Sequence, residues 1–170
     1  MIKVAVRLAG ESDISNTILS AILNEAKGEI ERWRGGKVLW EDRPSGEIAD
    51  LLAKCLERDD ALCVLGTLDE VVVGIGLVTQ AKLANGDLVA KIQILYVLPG
   101  ARGVGTGEAI MAALSEWAQD RGCQGIDAVA LPGDRNTKNF FESHGMSARS
   151  LTLYKSIATE PIAAEPIATD

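Results

Sequence analysis

The residues with the clearest chemical potential form a glycine-rich turn at positions 102–107. Arg102 is followed by glycines at 103, 105 and 107, with Val104 and Thr106 between them. Backbone N–H groups in the first turn of a helix lack internal partners and lie at the positive end of the helix dipole. Because glycine has no Cβ, an anion can approach these groups closely. The turn therefore predicts a cradle for a phosphate or pyrophosphate, with Arg102 as an added charged donor.

Two common phosphate-binding motifs fit this turn poorly. A P-loop ends in Gly-Lys-Ser/Thr, whereas Gly107 is followed by Glu108. A dinucleotide fingerprint, G-x-G-x-x-G, that starts at Gly103 also ends on Glu108, although Asp127 stands about twenty residues further on, where a ribose-binding acid is expected. That fingerprint belongs to a βαβ unit. An antiparallel strand before Arg102 would therefore exclude it.

A strand before the turn and a helix after it must hold the cradle in place. Residues 88–97 predict a long strand that Pro99-Gly100 ends, and apolar residues at helical spacing then predict a helix that stops near Gly122. The other predicted elements upstream are a strand at 2–8, a helix at 14–26, an irregular segment with one helical turn at 28–44, a helix at 47–58, and a hairpin of strands 61–67 and 71–79.

Three more elements are predicted downstream: a short strand at 126–131, a helix at 134–144 with Gly145 as its C-terminal cap, and a last strand at 151–155. This order indicates an α+β fold with a mixed, mainly antiparallel sheet and helices on both faces. One domain is expected over residues 1–155. The tail at 156–170 carries two copies of Glu-Pro-Ile-Ala and is predicted to be disordered.

Composition excludes several classes of partner. The net charge of −7 argues against a nucleic-acid binder, and no run of about twenty apolar residues predicts a membrane helix. The three cysteines form no CxxC pair, which predicts a reducing, cytoplasmic setting. Since His144 is the only histidine, neither a histidine-based metal site nor a Ser-His-Asp triad is expected, and we predict no metal.

Three motifs together resemble the GNAT superfamily of N-acetyltransferases. Residues 102–107, Arg-Gly-Val-Gly-Thr-Gly, resemble its acyl-CoA loop, Arg/Gln-x-x-Gly-x-Gly/Ala. Upstream, Leu-Tyr-Val-Leu-Pro at 95–99 resembles the family's strand, and downstream, Asn-Phe-Phe-Glu-Ser-His-Gly-Met at 139–146 resembles its helix-to-strand signature, Leu-Tyr-Glu-x-x-Gly-Phe. The element order also matches over residues 1–155. The resemblance implies an acetyltransferase that moves an acetyl group from acetyl-CoA to a primary amine by direct attack.

The same resemblance implies how acetyl-CoA binds. Strands 88–97 and 126–131 would separate, and the pantetheine arm would pair with the backbone of Leu95, Tyr96 and Val97. The pyrophosphate would lie on the N–H groups of residues 103–107, and the Val97 N–H would donate to the developing oxyanion. Family members often dimerise, so a homodimer is also expected.

The sequence departs from the family pattern at the residues that handle protons. Phe141 stands where the family often has a tyrosine as general acid, which leaves Tyr96 as a candidate or as a residue packed on the sheet. Lys91 and Gln93 occupy the strand positions where a glutamate base is common. A cofactor contact before the last helix would be Asp134 or Asn136, with Asp134 also suited to be the helix N-cap.

The acceptor, a small amine or a peptide, is not identified by the sequence. Trp33 and Trp40 fall in the irregular segment that lines the acceptor side in GNAT proteins. Acidic residues cluster in the same part of the chain at Glu25, Glu29, Glu31, Glu41 and Asp42. They predict either attraction of a cationic amine or a solvated acidic surface. Because no base or acid is evident, the alternative function is a GNAT fold that binds acyl-CoA as a ligand or signal without turnover.

Overall fold

The computed structural model describes residues 2–42 and 48–157, apart from the side chains of residues 48–51. Its elements are β1 (Val4–Leu8), α1 (Glu11–Ile14), α2 (Thr17–Glu31), α3 (Gly36–Glu41), α4 (Ile48–Leu56), β2 (Ala61–Leu68), β3 (Val71–Lys82), β4 (Leu88–Val97), a 3-10 turn (Pro99–Ala101), α5 (Thr106–Asp120), β5 (Ile126–Asp127) and α6 (Arg135–Ser143). The predicted strand-turn-helix unit around residues 102–107 is thus present as β4, the glycine turn and α5.

The sheet explains why the turn is not a dinucleotide fingerprint. Its strands lie in the order β1-β2-β3-β4-β5, with β1 to β4 antiparallel and β5 parallel to β4. The strand before Arg102 is therefore antiparallel to its predecessor, which excludes the βαβ interpretation. Asp127, the candidate ribose ligand, instead accepts a hydrogen bond of 2.7 Å from Nε of Arg149.

Helices cover both faces of the sheet, as the sequence predicts. The buried side chains of α2, α3 and α4 pack against one face of the sheet and those of α5 and α6 against the other. On the α5 face, Ile110 fills the space left by glycines of β2 and β3. A Cβ on Gly76 would lie 2.4 Å from Ile110 Cγ2, and a Cβ on Gly66 would lie 2.7 Å from Thr106 Cγ2. These glycines seat the first turn of α5 directly on the sheet beside the end of β4.

The irregular segment predicted at 28–44 is more helical than expected. α2 continues through Gly28 to Glu31, and α3 follows at Gly36–Glu41. Glycine inside a helix costs about 1 kcal/mol relative to alanine. Ile30 extends the apolar stripe of Ile22 and Ala26 at helical spacing and packs on the core, and this packing outweighs the local preference.

The two strands predicted after α5 are wrong in extent. β5 covers only Ile126–Asp127, not 126–131, and residues 151–157 contain no strand. β4 has a bulge where Ile92 and Ile94 face Val78 and Leu77, so Gln93 is the extra residue. A bulge bends its strand and increases the twist, which turns β4 away from β5 just beyond their last paired residues.

Residues 151–157 have the alternation of a strand but no neighbouring strand to pair with. Leu151, Leu153 and Tyr154 are exposed, and an unpaired strand is not stable in water. The Glu-Pro-Ile-Ala repeats and the predicted tail after residue 157 lie outside the described residues. Within the described parts of the chain, no helix combines the length and the apolar run needed to cross a membrane.

An ion pair between a half-exposed arginine and a buried carboxylate joins β1 to α1, and we expect Asp13→Asn to destabilise the fold. Arg7 donates two hydrogen bonds to Asp13, at 2.7 and 2.8 Å, and lowers the pKa of Asp13 to about 2. Because this pKa lies below the unfolded value near ~4, the carboxylate stabilises the fold above that pH and loses the effect as pH falls toward 2. The expected loss at pH 7 is about 2 kcal/mol.

Chemical denaturation of wild type and Asp13→Asn between pH 2 and 7 measures this effect. Asp60→Asn is the matched control, because Asp60 also pairs with an arginine, Arg58, but is exposed. Such surface pairs contribute roughly 0–1 kcal/mol. A difference between wild type and Asp13→Asn that stays constant down to pH 2 would contradict the assignment.

Candidate active site

β4 offers an open edge next to the glycine turn. In the described chain, β5 pairs with β4 only at Ala90 and Lys91, and the Gln124 N–H donates to the Leu88 carbonyl, so β4 has no strand beside it on that side beyond Lys91. The N–H of Leu98 donates to the carbonyl of Val73 on β3, at 2.9 Å. Successive residues of a strand direct their backbone groups to opposite sides, so Val97 and Leu95 direct theirs to the open edge.

The same alternation turns the backbone of Tyr96 toward its partner Ile75 on β3. Two of the three residues predicted to pair with pantetheine therefore face the open edge. The Val97 carbonyl already accepts a hydrogen bond of 2.8 Å from Nε of Arg102. At the open edge, Val97 therefore offers its N–H as a hydrogen-bond donor.

The glycine turn has the backbone geometry expected of an anion cradle. Gly103 and Gly105 have φ of +77° and +95°, a region that side chains other than glycine rarely adopt, and a Cβ on either would meet nothing within 4 Å. Gly105 is the N-cap of α5 and no side chain caps that helix. Since the first intrahelical bond is from the Ala109 N–H to the Gly105 carbonyl, the preceding N–H groups of α5 are directed out of the helix. Val104 is exposed at the tip of the turn.

Gly107 has a different role from the other two glycines. A Cβ there would lie 3.2 Å from the ring of Phe140 on α6 and 3.9 Å from Cγ2 of Val97. The third glycine thus lets α6 pack beside the start of α5. Phe140, which the sequence interpretation missed, thus places an aromatic ring beside the third glycine of the turn. The signal for this contact in the sequence was the pair of phenylalanines at 140–141. Adjacent residues of a helix point about 100° apart, so the two rings must face different neighbours.

Several predicted site residues use their side chains to build the fold. Asp134 accepts a hydrogen bond of 3.0 Å from the Thr137 N–H and is the N-cap of α6. Phe141 is buried in the core on the α5 face. Thr106 is also buried, with its methyl group toward Gly66, and its hydroxyl has no hydrogen-bond partner in the described chain. Asn136 is exposed on α6.

Arg102 points away from the turn and toward α2. Its guanidinium donates to both oxygens of Glu29, at 2.7 and 3.2 Å, and lies 5.3 Å from the centre of the Tyr96 ring. The Tyr96 hydroxyl lies 3.0 Å from Glu29 and 3.3 Å from Glu25. We call Glu25, Glu29, Tyr96 and Arg102 the α2–β4 cluster. The sequence named all four residues but gave no sign that they meet.

The charges of the α2–β4 cluster fix its protonation. Hydrogen bonds from Arg102 lower the pKa of Glu29, although burial opposes them, so this carboxylate is ionised at neutral pH. Burial and the hydrogen bond to Glu29 raise the pKa of Tyr96 above its ordinary value. The phenol therefore keeps its proton and acts as a donor to the carboxylates.

The residues considered for the acceptor side and for the general base do not form one cluster. Trp33 packs against Gly133, where a Cβ would lie 3.3 Å from its ring, so the α2–α3 loop meets the loop before α6. Trp40 is buried in the core, whereas Glu41 and Asp42 are exposed. On β4, the amide of Gln93 donates to the hydroxyl of Thr79 at 2.9 Å. Lys91 is exposed at the pairing with β5.

A family model decides the identity of the domain. The model described as the acetyltransferase (GNAT) family matches residues 22–146, which include most of α2 and all of β2 to β5, α5 and α6. The chain belongs to the GNAT acetyltransferase family. Members of this family use acetyl-CoA as co-substrate.

Solved structures support the fold of this GNAT domain. An acetyltransferase from Trypanosoma brucei is 22% identical with a TM-score of 0.63, and the match covers 91% of this chain and 100% of that one. Glucosamine-6-phosphate N-acetyltransferase from Arabidopsis thaliana is 19% identical, with a TM-score of 0.63 and coverage of 92% and 99%. A mutant of the BH1408 protein from Bacillus halodurans is 14% identical, with a TM-score of 0.74 and coverage of 90% and 99%. A search of curated proteins gives no significant match.

Proposed function

We propose that this GNAT domain transfers an acetyl group from acetyl-CoA to a primary amine. The observation that carries the proposal is the proximity of two backbone surfaces, the open edge of β4 with the Val97 N–H and the uncapped N-terminus of α5 at Gly105; a Cβ on Gly107 would lie 3.9 Å from Cγ2 of Val97. One surface suits an extended chain with amide groups, and the other suits a phosphate. Acetyl-CoA carries both, in the pantetheine arm and the pyrophosphate.

The proposed reaction is a direct attack on the thioester. The neutral amine adds to the acetyl carbonyl, and the N–H of Val97 donates to the oxygen as negative charge develops there. The C–S bond then breaks, the amide nitrogen loses its extra proton to solvent, and the CoA thiolate takes a proton from solvent. Leu95 and the N–H groups of residues 103–107 hold the co-substrate in position.

Tyr96 fits a positioning role better than that of general acid. Its pKa is raised above its ordinary value, whereas a thiol titrates near ~8.5. Proton transfer from this phenol to a thiolate is therefore uphill. We assign proton release and uptake to water.

A second candidate function is the binding of acyl-CoA without turnover. Phe141 is buried in the core where many relatives have a tyrosine, and the Tyr96 hydroxyl is bound to carboxylates. Release of free thiol from acetyl-CoA, measured against a panel of amines from polyamines to peptide N-termini, separates the two functions. Turnover with any amine supports transfer, whereas binding with no thiol release supports the second candidate.

Thermal unfolding with acetyl-CoA is the first test of the proposed site. A ligand at a hundred times its dissociation constant that binds only the folded state adds about 2.7 kcal/mol. For a chain of this size that predicts a rise of roughly 5–10 °C in Tm. NADH and ATP at the same concentration are the controls. A rise with NADH or ATP and none with acetyl-CoA would contradict the assignment of the turn.

We also propose a reducing, cytoplasmic location for the protein. All three cysteines are free thiols, which supports a reducing, cytoplasmic location. The homodimer expected from the family is tested by the mass of the purified protein in solution. The acceptor is proposed to be a small amine or a peptide.

A further inference from the structure

One carboxylate on α2 is connected to both sides of the proposed oxyanion donor. Glu29 accepts two hydrogen bonds from Arg102 and one from the Tyr96 hydroxyl. Arg102 in turn donates through Nε to the Val97 carbonyl. The side chain before the Val97 N–H and the carbonyl after it are thus both held by groups that Glu29 orients.

The planar guanidinium makes this arrangement rigid. Its Nε–H and its two terminal nitrogens point in fixed directions within one plane. When the terminal nitrogens bind the Glu29 carboxylate, the direction of the hydrogen bond from Nε to the Val97 carbonyl is therefore fixed as well. The contact with the Tyr96 ring restricts the guanidinium further. Arg102 also begins the glycine turn, so the position of its side chain constrains the path of the backbone into Gly103.

We propose that Glu29 is a positioning residue for acetyl transfer, which acts through Arg102 and Tyr96 to orient the N–H of Val97 and the start of the glycine turn. The inference rests on the proposed function. Glu29 itself does not touch the co-substrate. Its effect is on the geometry of backbone groups that do.

A purely structural role predicts a different result from a positioning role. The Glu29 and Arg102 side chains are 34% and 42% exposed, and pairs with that exposure contribute little to folding. We therefore expect Glu29→Gln to leave the unfolding temperature close to that of wild type. A misplaced donor nevertheless weakens binding and catalysis strongly, because both depend on geometry.

The test measures the binding of acetyl-CoA by calorimetry, with thiol release where an amine acceptor has been found. Glu29→Gln is expected to raise the Kd for acetyl-CoA about tenfold, the effect of losing charge-assisted hydrogen bonds. The Kd for CoA, which has no acetyl oxygen for the Val97 N–H, is expected to rise less. Glu31→Gln is the matched control, because Glu31 lies on the same helix and pairs only with Lys27, at 3.9 Å, among the ion pairs found.

Arg102→Lys provides a second, independent variant. A lysine keeps the attraction to Glu29, but a single ammonium lacks the fork that joins Glu29 to the Val97 carbonyl. We expect it to fold like wild type and to bind acetyl-CoA as weakly as Glu29→Gln does. If both variants bind acetyl-CoA like Glu31→Gln, or if Arg102→Lys alone binds like wild type, the positioning role is overturned. Failure of the wild type to bind acetyl-CoA would instead overturn the proposed function.

Discussion

Replacing Val97 by proline is expected to lower kcat by about 100- to 1000-fold, the effect of removing one oxyanion donor. Proline has no N–H, so the substitution deletes the proposed donor; it also replaces the buried Val97 side chain and fixes φ, which is expected to lower the stability of the fold. The N–H of Val97 faces the open edge of β4, whereas the ladder bond to β3 comes from Leu98. The sheet therefore loses no hydrogen bond, and acetyl-CoA is still expected to raise the unfolding temperature.

Leu95→Pro is the matched comparison, because Leu95 directs its N–H to the same edge two residues earlier. In the proposed complex this N–H contacts the pantetheine arm, which does not change charge during the reaction. Its loss should raise the KM for acetyl-CoA while kcat changes little, the signature of binding that is equal in ground and transition states. Equal losses of kcat in the two variants would contradict the special role of Val97.

The sequence predicted the strand, glycine turn and helix around residues 102–107 because local rules decide them. Three glycines, a strand end and a helix start are features of neighbouring residues, and the order of elements followed from their periodicity. The N-cap role of Asp134 was open to prediction for the same reason, since it bonds within its own helix start. What local rules missed was the separate role of Gly107, which depends on Phe140 in a distant helix.

Features that depend on distant parts of the chain were not predictable. Glu29 and Arg102 are 73 residues apart in sequence, and only the packing of α2 against β4 brings their charges together. β5 ends at Asp127 although residues 128–131 are apolar, because a strand needs an aligned neighbour and the bulge at Gln93 bends β4. Residues 151–157 form no strand for the same reason. In each case the sequence shows which charge or strand-like segment is present, and tertiary contacts decide whether it finds a partner.

Because α5 packs closely on the sheet, Gly76→Ala is expected to lower the free energy of unfolding by about 3 kcal/mol. A Cβ at position 76 would lie 2.4 Å from Cγ2 of Ile110, 3.2 Å from Cγ2 of Val64 and 3.3 Å from Cδ1 of Leu114. All three neighbours belong to the core, where side chains have little room to move. For this chain length we expect the unfolding temperature to fall by roughly 6–12 °C.

Gly28→Ala is the control, since the same methyl group added there meets nothing within 4 Å and lies inside α2. Alanine in an open helical position stabilises by about 0.4–1 kcal/mol, so the two variants should shift the unfolding temperature in opposite directions. Gly76→Ala should also weaken acetyl-CoA binding, because pushing Ile110 away from β3 moves the start of α5 relative to Val97. An unchanged unfolding temperature in Gly76→Ala would mean that α5 lies too far from β3 for a Cβ at position 76 to clash with Ile110. The glycines would then not be what holds the glycine turn beside β4.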